Sequence, residues 1–244
     1  MTDIHSHILP GMDDGSKSVE ESLALLRMEK AQGIDTVIAT PHFYARYDSP
    51  ERFLARREEA AEKLRSAMED QPGLPEVFLG AEVHYFPGIC ESDQISALTI
   101  DGKRCILIEM PPSPWTPKMY RELEGLYTRQ NLLPIVAHVD RYIGPMRTYG
   151  IPRQLAELPV LVQANAAFFL RWPTAAMAGR MLKAGQIHLL GSDCHNLDSR
   201  KPNLGEAVRR IEKKLGSEAL DRISVNEQMI WGADARLERN GMSL

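Results

Sequence analysis

Histidine and aspartate are concentrated near the start of the chain, in residues 3–15 (DIHSHILPGMDDG). His5 and His7 are two residues apart, so an extended segment directs both imidazole rings to the same side. Asp13 and Asp14 follow in a segment that contains glycine and proline. Imidazole nitrogens and carboxylate oxygens bind divalent metal ions, so the stretch predicts a metal-binding segment. Because a histidine pair on a strand is more often ordinary structure, this prediction needs partners elsewhere in the chain.

Most of the predicted strands also end at a histidine or an acidic residue. Short apolar runs rich in β-branched residues predict buried strands at 36–40, 76–83, 105–109, 134–138, 159–165 and 187–195. The candidate ligands at or beside their ends are His42, Glu82, Glu109, His138, Asp193 and His195. The run 159–165 ends in the amide residue Asn165. Buried carboxylates and imidazoles are costly unless they are paired or bound to metal, which favours one shared site.

Helical patterns separate these strands. Apolar residues with helical spacing predict helices between Ser18 and Gly33, over 50–70, 117–130 and 174–184, from 202 onward and over 217–223. Alternating strands and helices predict parallel βαβ units, and in barrels of such units the chemistry gathers at the carboxyl ends of the strands. Because α/β barrels of 244 residues commonly form one domain, we expect a single α/β domain over residues 1–244.

Composition argues against several other classes of protein. The formal net charge of -4 and the isoelectric point near 6.0 are unfavourable for nucleic-acid binding driven by bulk positive charge. The longest apolar runs are too short for a membrane span, and the start MTDIHSH lacks the features of a signal peptide. We therefore predict a cytoplasmic protein without membrane insertion. Cys90, Cys105 and Cys194 are predicted to be reduced thiols.

The candidate ligands offer only oxygen and nitrogen donors. The full set is His5, His7, Asp14, His42, Glu82, Glu109, His138, Asp193 and His195. Without a thiolate, such a set suits hard or borderline ions such as manganese, iron, magnesium or zinc better than it suits a structural zinc site. A set of this size implies two or three divalent ions.

The ordered motifs of the chain resemble those of the PHP (polymerase and histidinol phosphatase) superfamily. Within it, the chain is most similar to the bacterial manganese-dependent protein-tyrosine phosphatases associated with capsule and exopolysaccharide synthesis. The motifs that carry the resemblance are DIHSHILPGMDDG, TPHF, GAEVHY, ILIEMP, IVAHVDRY, VQANA and GSDCHN, which together cover nearly the whole chain. The resemblance implies a distorted (β/α)7 barrel with a trinuclear metal site at its strand ends.

The resemblance also implies a role for each candidate residue. It makes His5, His7 and Asp193 ligands of a first metal and Glu82 a bridge to a second, which Glu109 and His138 complete. It makes Asp14, His42 and His195 ligands of a third metal, and Arg141 and Arg200 phosphate-binding residues. The sequence departs from the family where Val139 and Asp140 stand in place of the more usual Pro and Glu, and where Cys194 replaces Ala or Met.

The implied reaction is hydrolysis of phosphotyrosine by hydroxide derived from metal-bound water. Bound metals lower the pKa of water and hold the phosphoryl oxygens, while paired arginines neutralise the phosphoryl charge. A phenol leaving group has a pKa near ~10 and needs less help from a general acid than an alkoxide does. By resemblance, the metal is most commonly Mn2+ and the partner is a phosphotyrosine protein such as a bacterial tyrosine kinase that regulates capsule or exopolysaccharide synthesis. A homo-oligomer is left open.

A cysteine-dependent phosphatase mechanism competes with the metal-dependent one. Cys194 and Arg200 have the CX5R spacing of cysteine-dependent tyrosine phosphatases, but HNLDS between them contains no glycine to curl round a phosphate. Asp193 would also raise the pKa of the adjacent thiol. The sequence is also compatible with a PHP-type phosphoesterase acting on a small phosphomonoester such as histidinol phosphate, with an amidohydrolase-like metal hydrolase, and with a metal-stabilised protein without catalytic activity.

A few further side chains have predicted structural or peripheral roles. We expect His188, inside the last strand, to be a structural residue, whereas the orientation of His84 stays open. Aromatic residues in strand-end loops could flank an aryl ring, and these are Phe43, Tyr44 and Trp115. The aromatic residues after Asn165, which are Phe168, Phe169 and Trp172, are expected in the core or in a pocket wall.

Overall fold

Nine short parallel strands among the residues that the structure describes form the centre of the fold. The structure, a computed structural model, describes residues 1–143 and 150–232. The strands are β1 (Thr2–Ser6), β2 (Thr36–Ala39), β3 (His42–Phe43), β4 (Glu76–Leu79), β5 (Glu82–His84), β6 (Cys105–Glu109), β7 (Leu133–Val136), β8 (Leu161–Asn165) and β9 (Leu189–Gly191). The predicted α/β class is thus confirmed. The extension of one domain over all of 1–244 stays a prediction, since 144–149 and 233–244 lie outside the described residues.

The strands follow seven paths around a distorted barrel. Hydrogen bonding orders them β1-β2-β4 and β3-β5-β6-β7-β8-β9, and β3 and β5 continue the paths of β2 and β4. The last path returns to the first, because the amide of Asp193 donates to the carbonyl of His5 at 2.8 Å and that of His7 donates to the carbonyl of Cys194 at 2.9 Å. The sheet therefore curls as the predicted (β/α)7 barrel requires.

Strand β1 contains a β-bulge that turns His5 inward. Asp3 lies opposite Val37 and Ser6 lies opposite Ala39, so β1 has one more residue than β2 over this interval. A bulge of this kind breaks the alternation of side chains between the two faces of a sheet. Ile4 consequently packs in the barrel interior, and His5 also points toward interior side chains instead of toward the surrounding helices.

The predicted strand 76–83 is not continuous in the structure. It divides at Gly80 into β4 and β5, and the neighbouring path divides at Pro41, which has no amide hydrogen to donate to the ladder. A Cβ atom at Gly80 would lie only 3.2 Å from Ile100 and 3.3 Å from Thr40, so a larger residue would not fit without movement. The break places His42 and Glu82 opposite each other at the start of β3 and β5.

Eight helices lie among the described residues. They are α1 (Val19–Ala31), α2 (Pro50–Met68), α3 (Pro117–Gln130), α4 (Gly150–Leu155), α5 (Ala166–Leu170), α6 (Trp172–Lys183), α7 (Leu204–Leu215) and α8 (Ser217–Ile230). The side chains of Ser18, Ser49 and Thr116 cap α1, α2 and α3, as their sequence positions favour. The short helices α4 and α5 were not predicted, and α8 continues beyond the predicted end at residue 223. Within residues 1–143 and 150–232, no helix is both long and apolar enough to span a bilayer.

Apolar side chains fill both sides of the sheet. The interior cluster includes Ile4, Ile38, Leu107, Ile135, Leu161 and Leu189, and Ile230 of α8 joins it. A larger cluster fills the space between the strands and the surrounding helices. Phe168 and Phe169 lie in that cluster as predicted, but the prediction for Trp172 is wrong, since its side chain is 88% exposed at the start of α6. The three cysteines are free thiols, as predicted, and all are buried.

His188 has the structural role that the sequence predicts. Its Nδ1 accepts a hydrogen bond from the Val162 amide at 3.0 Å, and its own amide donates to the Val162 carbonyl at 2.8 Å. Burial lowers the pKa of His188 to about 4, so the imidazole is neutral and can accept this bond. The imidazole thus accepts a hydrogen bond that a backbone carbonyl would otherwise accept where β8 meets the start of β9.

Replacing His188 should reduce the acid sensitivity of the fold. Because the pKa is about 4 in the folded chain and about 6.5 in the unfolded chain, stability is lost as pH falls from 6.5 toward 4. His188→Asn keeps an acceptor for the Val162 amide but does not titrate. We expect the free energy of unfolding to fall by about 2 kcal/mol more in the wild type than in this variant between pH 7 and pH 5. Equal losses in urea unfolding curves would contradict the prediction.

Candidate metal centre

The predicted ligands come together at the carboxyl-end face of the barrel. In each of three groups, the donor atoms lie within 4.8 Å of one another. The groups are His5, His7 and Asp193; His7, Asp14, His42 and His195; and His42, Glu82 and Glu109. His138 joins them through Glu82 and Glu109, at 2.7 and 3.5 Å. All nine predicted residues therefore lie in one continuous cluster, although their roles as ligands stay a prediction.

Glu82 occupies the middle of the cluster. Its Oε2 atom lies 3.4 Å from Nε2 of both His5 and His7 and 2.8 Å from Nδ1 of His42. Its Oε1 atom lies 2.7 Å from Nε2 of His138. Burial opposes ionisation of this carboxyl, but His5, His138 and His42 hold its pKa well below the usual range. Glu82 is therefore an anion that faces several candidate ligands at once, as a bridging carboxylate must.

The first predicted group consists of His5 in β1, His7 directly after β1 and Asp193 in the loop after β9. The Nε2 atoms of His5 and His7 lie 3.2 Å apart, and Asp193 Oδ1 lies 3.7 and 3.6 Å from them. Asp193 is buried, which opposes its ionisation, but His5 and Arg141 lower its pKa far below the usual range. Three donor atoms thus converge on a single point in an anionic environment.

The second predicted group includes a further histidine that the sequence left open. Nε2 of His138 lies 3.5 Å from Oε1 of Glu109, and Nδ1 of His84 lies 3.0 Å from its Oε2. Burial would raise the pKa of Glu109, but these two imidazoles lower it to about 2. Glu109 is therefore ionised, and His84 orients it from the outer side of the cluster.

The third predicted group lies nearest to solvent. Oδ1 of Asp14 lies 3.4 Å from Nε2 of His42 and 3.5 Å from Nε2 of His195. Asp14 is 63% exposed, while His195 is buried. Burial and the nearby His7 lower the pKa of His195 to about 4, which leaves this imidazole neutral and able to bind a metal. This group forms the open side of the cluster.

Buried polar atoms in the cluster support its use as a metal site. Among the described residues, Nδ1 of His42, Oε2 of Glu82, Nδ1 of His138 and Nε2 of His195 are buried and have no hydrogen bond of ordinary geometry. Unsatisfied atoms of this kind are costly in a protein interior. His138 and Asp193 also have left-handed backbones, with φ of 31° and 54°. Strain of this sort concentrates at functional sites, and the donor chemistry fits divalent ions.

Comparison with known proteins identifies the family. Residues 1–230 match the family described as capsular polysaccharide synthesis, CpsB/CapC. The chain belongs to this family. It is 30% identical to the tyrosine-protein phosphatase YwqE of Bacillus subtilis (strain 168), over 94% of this chain and 91% of that protein. It is 28% identical to the tyrosine-protein phosphatase CpsB of Streptococcus pneumoniae, over 93% and 96% of the two chains.

A solved structure supports the same relationship. It comes from crystal structures of YwqE from Bacillus subtilis and CpsB from Streptococcus pneumoniae, described as unique metal-dependent tyrosine phosphatases. That chain matches this one with a TM-score of 0.80 at 26% identity, and the match covers 94% of each chain. This chain therefore has the same overall fold as that metal-dependent tyrosine phosphatase.

Both predicted arginines reach the edge of the cluster of predicted metal ligands. Arg141, in the 3-10 turn Val139–Arg141, is ion-paired with Asp193, and its Nη1 lies 3.6 Å from Glu109 Oε1. Arg200 donates from Nη2 to Asp193 Oδ1 at 2.8 Å, and its Nη1 lies 3.7 Å from Asp14. Each arginine side chain is more than a third exposed, at 39% and 36%. The two side chains therefore face a ligand that enters from solvent.

Two amide residues that orient the ligands could not be recognised from the sequence. Gln163 Oε1 accepts the backbone amide of His138 at 2.5 Å and lies 3.3 Å from Nδ1 of His5. Asn165 donates from Nδ2 to Asp193 at 2.9 Å. Both project from β8, whose carboxyl end the sequence marks only by Asn165. Hydrogen bonds of this kind orient metal ligands and tune their basicity.

Asp13 is a further residue that orients the predicted ligands. Its hydrogen bonds and the close packing at Gly15 explain the DDG sequence. Its Oδ2 accepts from Nδ1 of His7 at 2.7 Å and from the amide of His42 at 2.9 Å, while Oδ1 accepts from the amide of Gly15 at 2.9 Å. A Cβ atom at Gly15 would lie 2.3 Å from the His7 carbonyl oxygen, which requires glycine there. Burial would lower the pKa of His7, but Asp13 and Glu82 raise it to about 10.

The structure argues against the cysteine mechanism. Cys194 is fully buried, and burial together with Glu29 and Asp3 raises the pKa of its thiol well above the ordinary value. A nucleophilic cysteine needs an accessible thiolate. Arg200, the other end of the CX5R spacing, instead contacts Asp193 and Asp14. The spacing is therefore not a phosphate-binding loop.

Removing the carboxylate of Asp13 should weaken metal binding without removing a predicted ligand. In Asp13→Asn the hydrogen bond that fixes the His7 ring loses its charged acceptor, and loss of such a partner typically lowers metal affinity by roughly 10- to 100-fold. The measurement is calorimetric titration of the apo-protein with Mn2+ at fixed pH. Asp35→Asn, at an exposed position that pairs with Lys30, is the matched control. Wild-type affinity in Asp13→Asn would rule out this orienting role.

Replacing Cys194 should leave turnover of aryl phosphates largely intact. The thiol is buried and un-ionised, so neither Cys194→Ser nor Cys194→Ala removes a group that can reach a substrate. Steady-state kcat for p-nitrophenyl phosphate is the measurement, with circular dichroism as a check that both variants fold. A folded variant that loses all activity would restore the cysteine mechanism.

Proposed function

We propose that this chain is a metal-dependent protein-tyrosine phosphatase. The observation that carries the proposal is the convergence of nine oxygen and nitrogen donors on one face of the barrel, with Arg141 and Arg200 at its solvent edge. The relatives named tyrosine-protein phosphatase and metal-dependent tyrosine phosphatase support the same assignment. A protein that bound metal for stability alone would have no need of two arginines facing solvent at the metal site.

The nine predicted ligands would hold the metal ions. We assign His5, His7 and Asp193 to a first ion, Glu109 and His138 to a second with Glu82 bridging the two, and Asp14, His42 and His195 to a third. The mixed set of imidazoles and carboxylates suits two or three Mn2+ ions. Its imidazoles also suit iron and zinc, and its carboxylates also suit magnesium. When bound, divalent ions supply water activation and neutralisation of phosphoryl charge.

The arginines would bind and orient the phosphoryl group. Their guanidinium groups now contact Asp193, Glu109 and Asp14, which are predicted metal ligands. With those carboxylates engaged by cations, the planar N–H donors of Arg141 and Arg200 become available to phosphoryl oxygens, which they match in geometry. The phenol oxygen of tyrosine is a good leaving group, so the site needs no strong general acid.

The partner and the location follow from the same proposal. The relatives belong to a capsular polysaccharide synthesis family and act, by their names, on phosphotyrosine in proteins. We therefore propose a phosphotyrosine protein as the substrate of this chain, with a bacterial tyrosine kinase of polysaccharide synthesis as the expected partner. A cytoplasmic location fits such a partner.

A small phosphomonoester is the second candidate substrate. The metal ligands and arginines recognise only the phosphoryl group, so they would accept histidinol phosphate as well as phosphotyrosine. The two substrates are distinguished by comparing kcat/KM for histidinol phosphate with that for a phosphotyrosine peptide. A much larger value for histidinol phosphate would overturn the substrate assignment and leave the metal site in place.

Chelation should abolish the activity, and metal add-back should restore it. We expect dialysis against a chelator to remove hydrolysis of p-nitrophenyl phosphate and of a phosphotyrosine peptide, and Mn2+ to recover both. His42→Ala and Asp193→Ala should not recover, because each removes a predicted ligand. Elemental analysis of the dialysed protein supplies the control for complete metal removal. Activity that persists in metal-free protein would sink the proposal.

A further inference from the structure

A cleft leads from the metal cluster toward the start of α2. Its volume is about 710 Å³, and its lining includes Asp14 and His42 of the cluster. The same cleft is lined by Tyr44 and Tyr47 of the loop after β3 and by Arg52 of α2. Cavities of several hundred Å³ hold ligands of drug size, so this space exceeds what a phosphate at the metals would occupy. The cleft therefore has room for the part of a substrate that adjoins the phosphoryl group.

Aromatic rings line the path outward. The ring of Tyr44 lies 5.4 Å from that of His42 and 5.3 Å from that of His84, and the ring of Tyr47 lies 6.4 Å further along. Tyr44 is 36% exposed and Tyr47 is 74% exposed. Of the residues predicted to flank an aryl ring, Tyr44 is the one with an exposed ring in this cleft. Phe43 packs against Phe53 in the core.

Trp115, also predicted to flank an aryl ring, does not line this cleft. Its ring packs between those of Tyr120 and Tyr142, at 5.5 and 5.0 Å. Its Nε1 donates to the carbonyl of Pro111 at 3.1 Å. The cleft beside His42 is lined by Tyr44 and Tyr47 instead.

The outer rim of the cleft carries an excess of positive charge. Arg56 pairs with Asp48 at 2.5 Å, and Arg52 lies 3.7 Å from the same carboxylate while remaining 80% exposed. The guanidinium of Arg46 lies 5.6 Å above the ring of Tyr47. Two guanidinium groups thus contact the single carboxylate of Asp48 and a third lies over the ring of Tyr47, on a chain whose formal net charge is -4. The local charge is opposite in sign to that of the whole protein.

Nearby acidic residues do not cancel this charge at the rim. Glu51, in the first turn of α2, accepts from Nε2 of Gln94 and does not line the cleft. Asp13 and Asp14 line the inner end of the cleft, where Asp13 hydrogen-bonds His7 and Asp14 contacts His42 and His195. The cleft therefore has an inner end built from metal ligands and an outer end where arginines face solvent.

We propose that this cleft binds the peptide segment that flanks the phosphotyrosine, and that it selects segments carrying aspartate or glutamate. The inference rests on the proposed phosphatase function. With the phosphoryl group at the metal cluster, the substrate ring lies beside Tyr44 and the flanking backbone passes Tyr47. Carboxylates of the flanking residues then reach Arg52 and Arg46, whose charges they complement. Arg46 and Arg52 contribute to substrate selection and take no part in the chemical step.

The test compares the metal-loaded full chain on matched substrates. Two phosphotyrosine peptides of equal length differ only in having Asp and Glu or Asn and Gln beside the phosphotyrosine, and p-nitrophenyl phosphate serves as a substrate with no flanking residues. We expect kcat/KM to favour the acidic peptide through KM, by about twofold to fivefold for each charge pair. The preference should shrink as salt is raised, because exposed charges are screened.

Charge reversal at the rim should reverse the preference. In Arg52→Glu and in the double variant Arg46→Glu with Arg52→Glu, we expect the neutral peptide to become the better substrate. The loss on the acidic peptide should exceed any loss on p-nitrophenyl phosphate. Arg65→Glu is the matched control, because Arg65 lies in a later turn of α2 and pairs with Glu58 and Glu62 outside the cleft.

The outcomes separate this inference from the proposed function. If the wild type hydrolyses both peptides equally at low salt, or if Arg52→Glu keeps the wild-type ratio, the cleft does not select acidic segments although the phosphatase assignment stands. If the wild type hydrolyses neither peptide while it cleaves another phosphomonoester, the proposed function fails first. If the rim arginines bind anionic lipid vesicles and have no effect on the ratio of kcat/KM for the two peptides, the partner of the cleft is a membrane surface and not a peptide.

Discussion

The buried carboxylate of Glu82 imposes the constraint on which the rest of the site depends. It is 1% exposed and lies between imidazoles of His5, His7, His42 and His138. An isolated carboxylate in such a position would cost several kcal/mol, so the fold must bring cationic or hydrogen-bonding groups to it. The chain meets this need with histidines from three different strand paths. The contacts that stabilise the Glu82 carboxylate in the barrel therefore also bring the predicted metal ligands together.

Departures from regular structure place these groups where a uniform barrel would not. The bulge in β1 allows both Ile4 and His5 to face the interior, and the break at Gly80 moves Glu82 to the start of a new strand. His138 and Asp193 follow their strands in left-handed conformations, which turn the backbone sharply at the strand ends. Each irregularity costs stability locally, and each occurs beside a predicted ligand, which is the pattern expected where function determines local geometry.

The alternation of strands and helices was sufficient to predict the α/β class, whereas the (β/α)7 barrel was implied by the family resemblance. The cluster could be found because parallel strands share one carboxyl edge. A histidine or acidic residue at a strand end must therefore lie near the others, whatever the loop lengths. The supporting residues were harder to recognise. Gln163 and Asp13 act through hydrogen bonds to distant or turn-dependent partners, and amides and single acids are common at such positions. Trp172 was misplaced because an apolar side chain at a helix start does not reveal which way the helix faces.

The charge of the cluster explains how metal, proton and substrate would compete for the same groups. Asp14, Glu82, Glu109 and Asp193 bring four negative charges, against two from Arg141 and Arg200. In the protein alone, His7 has a pKa of about 10 and His138 a pKa of about 9. Both imidazoles therefore carry a proton, and their two positive charges restore the charge balance. Two divalent ions would balance the four carboxylates and displace those protons, so metal affinity should rise with pH. A third ion and the two arginines would then leave a positive surplus, which favours binding of a phosphoryl group with a charge of about −1.5 to −2.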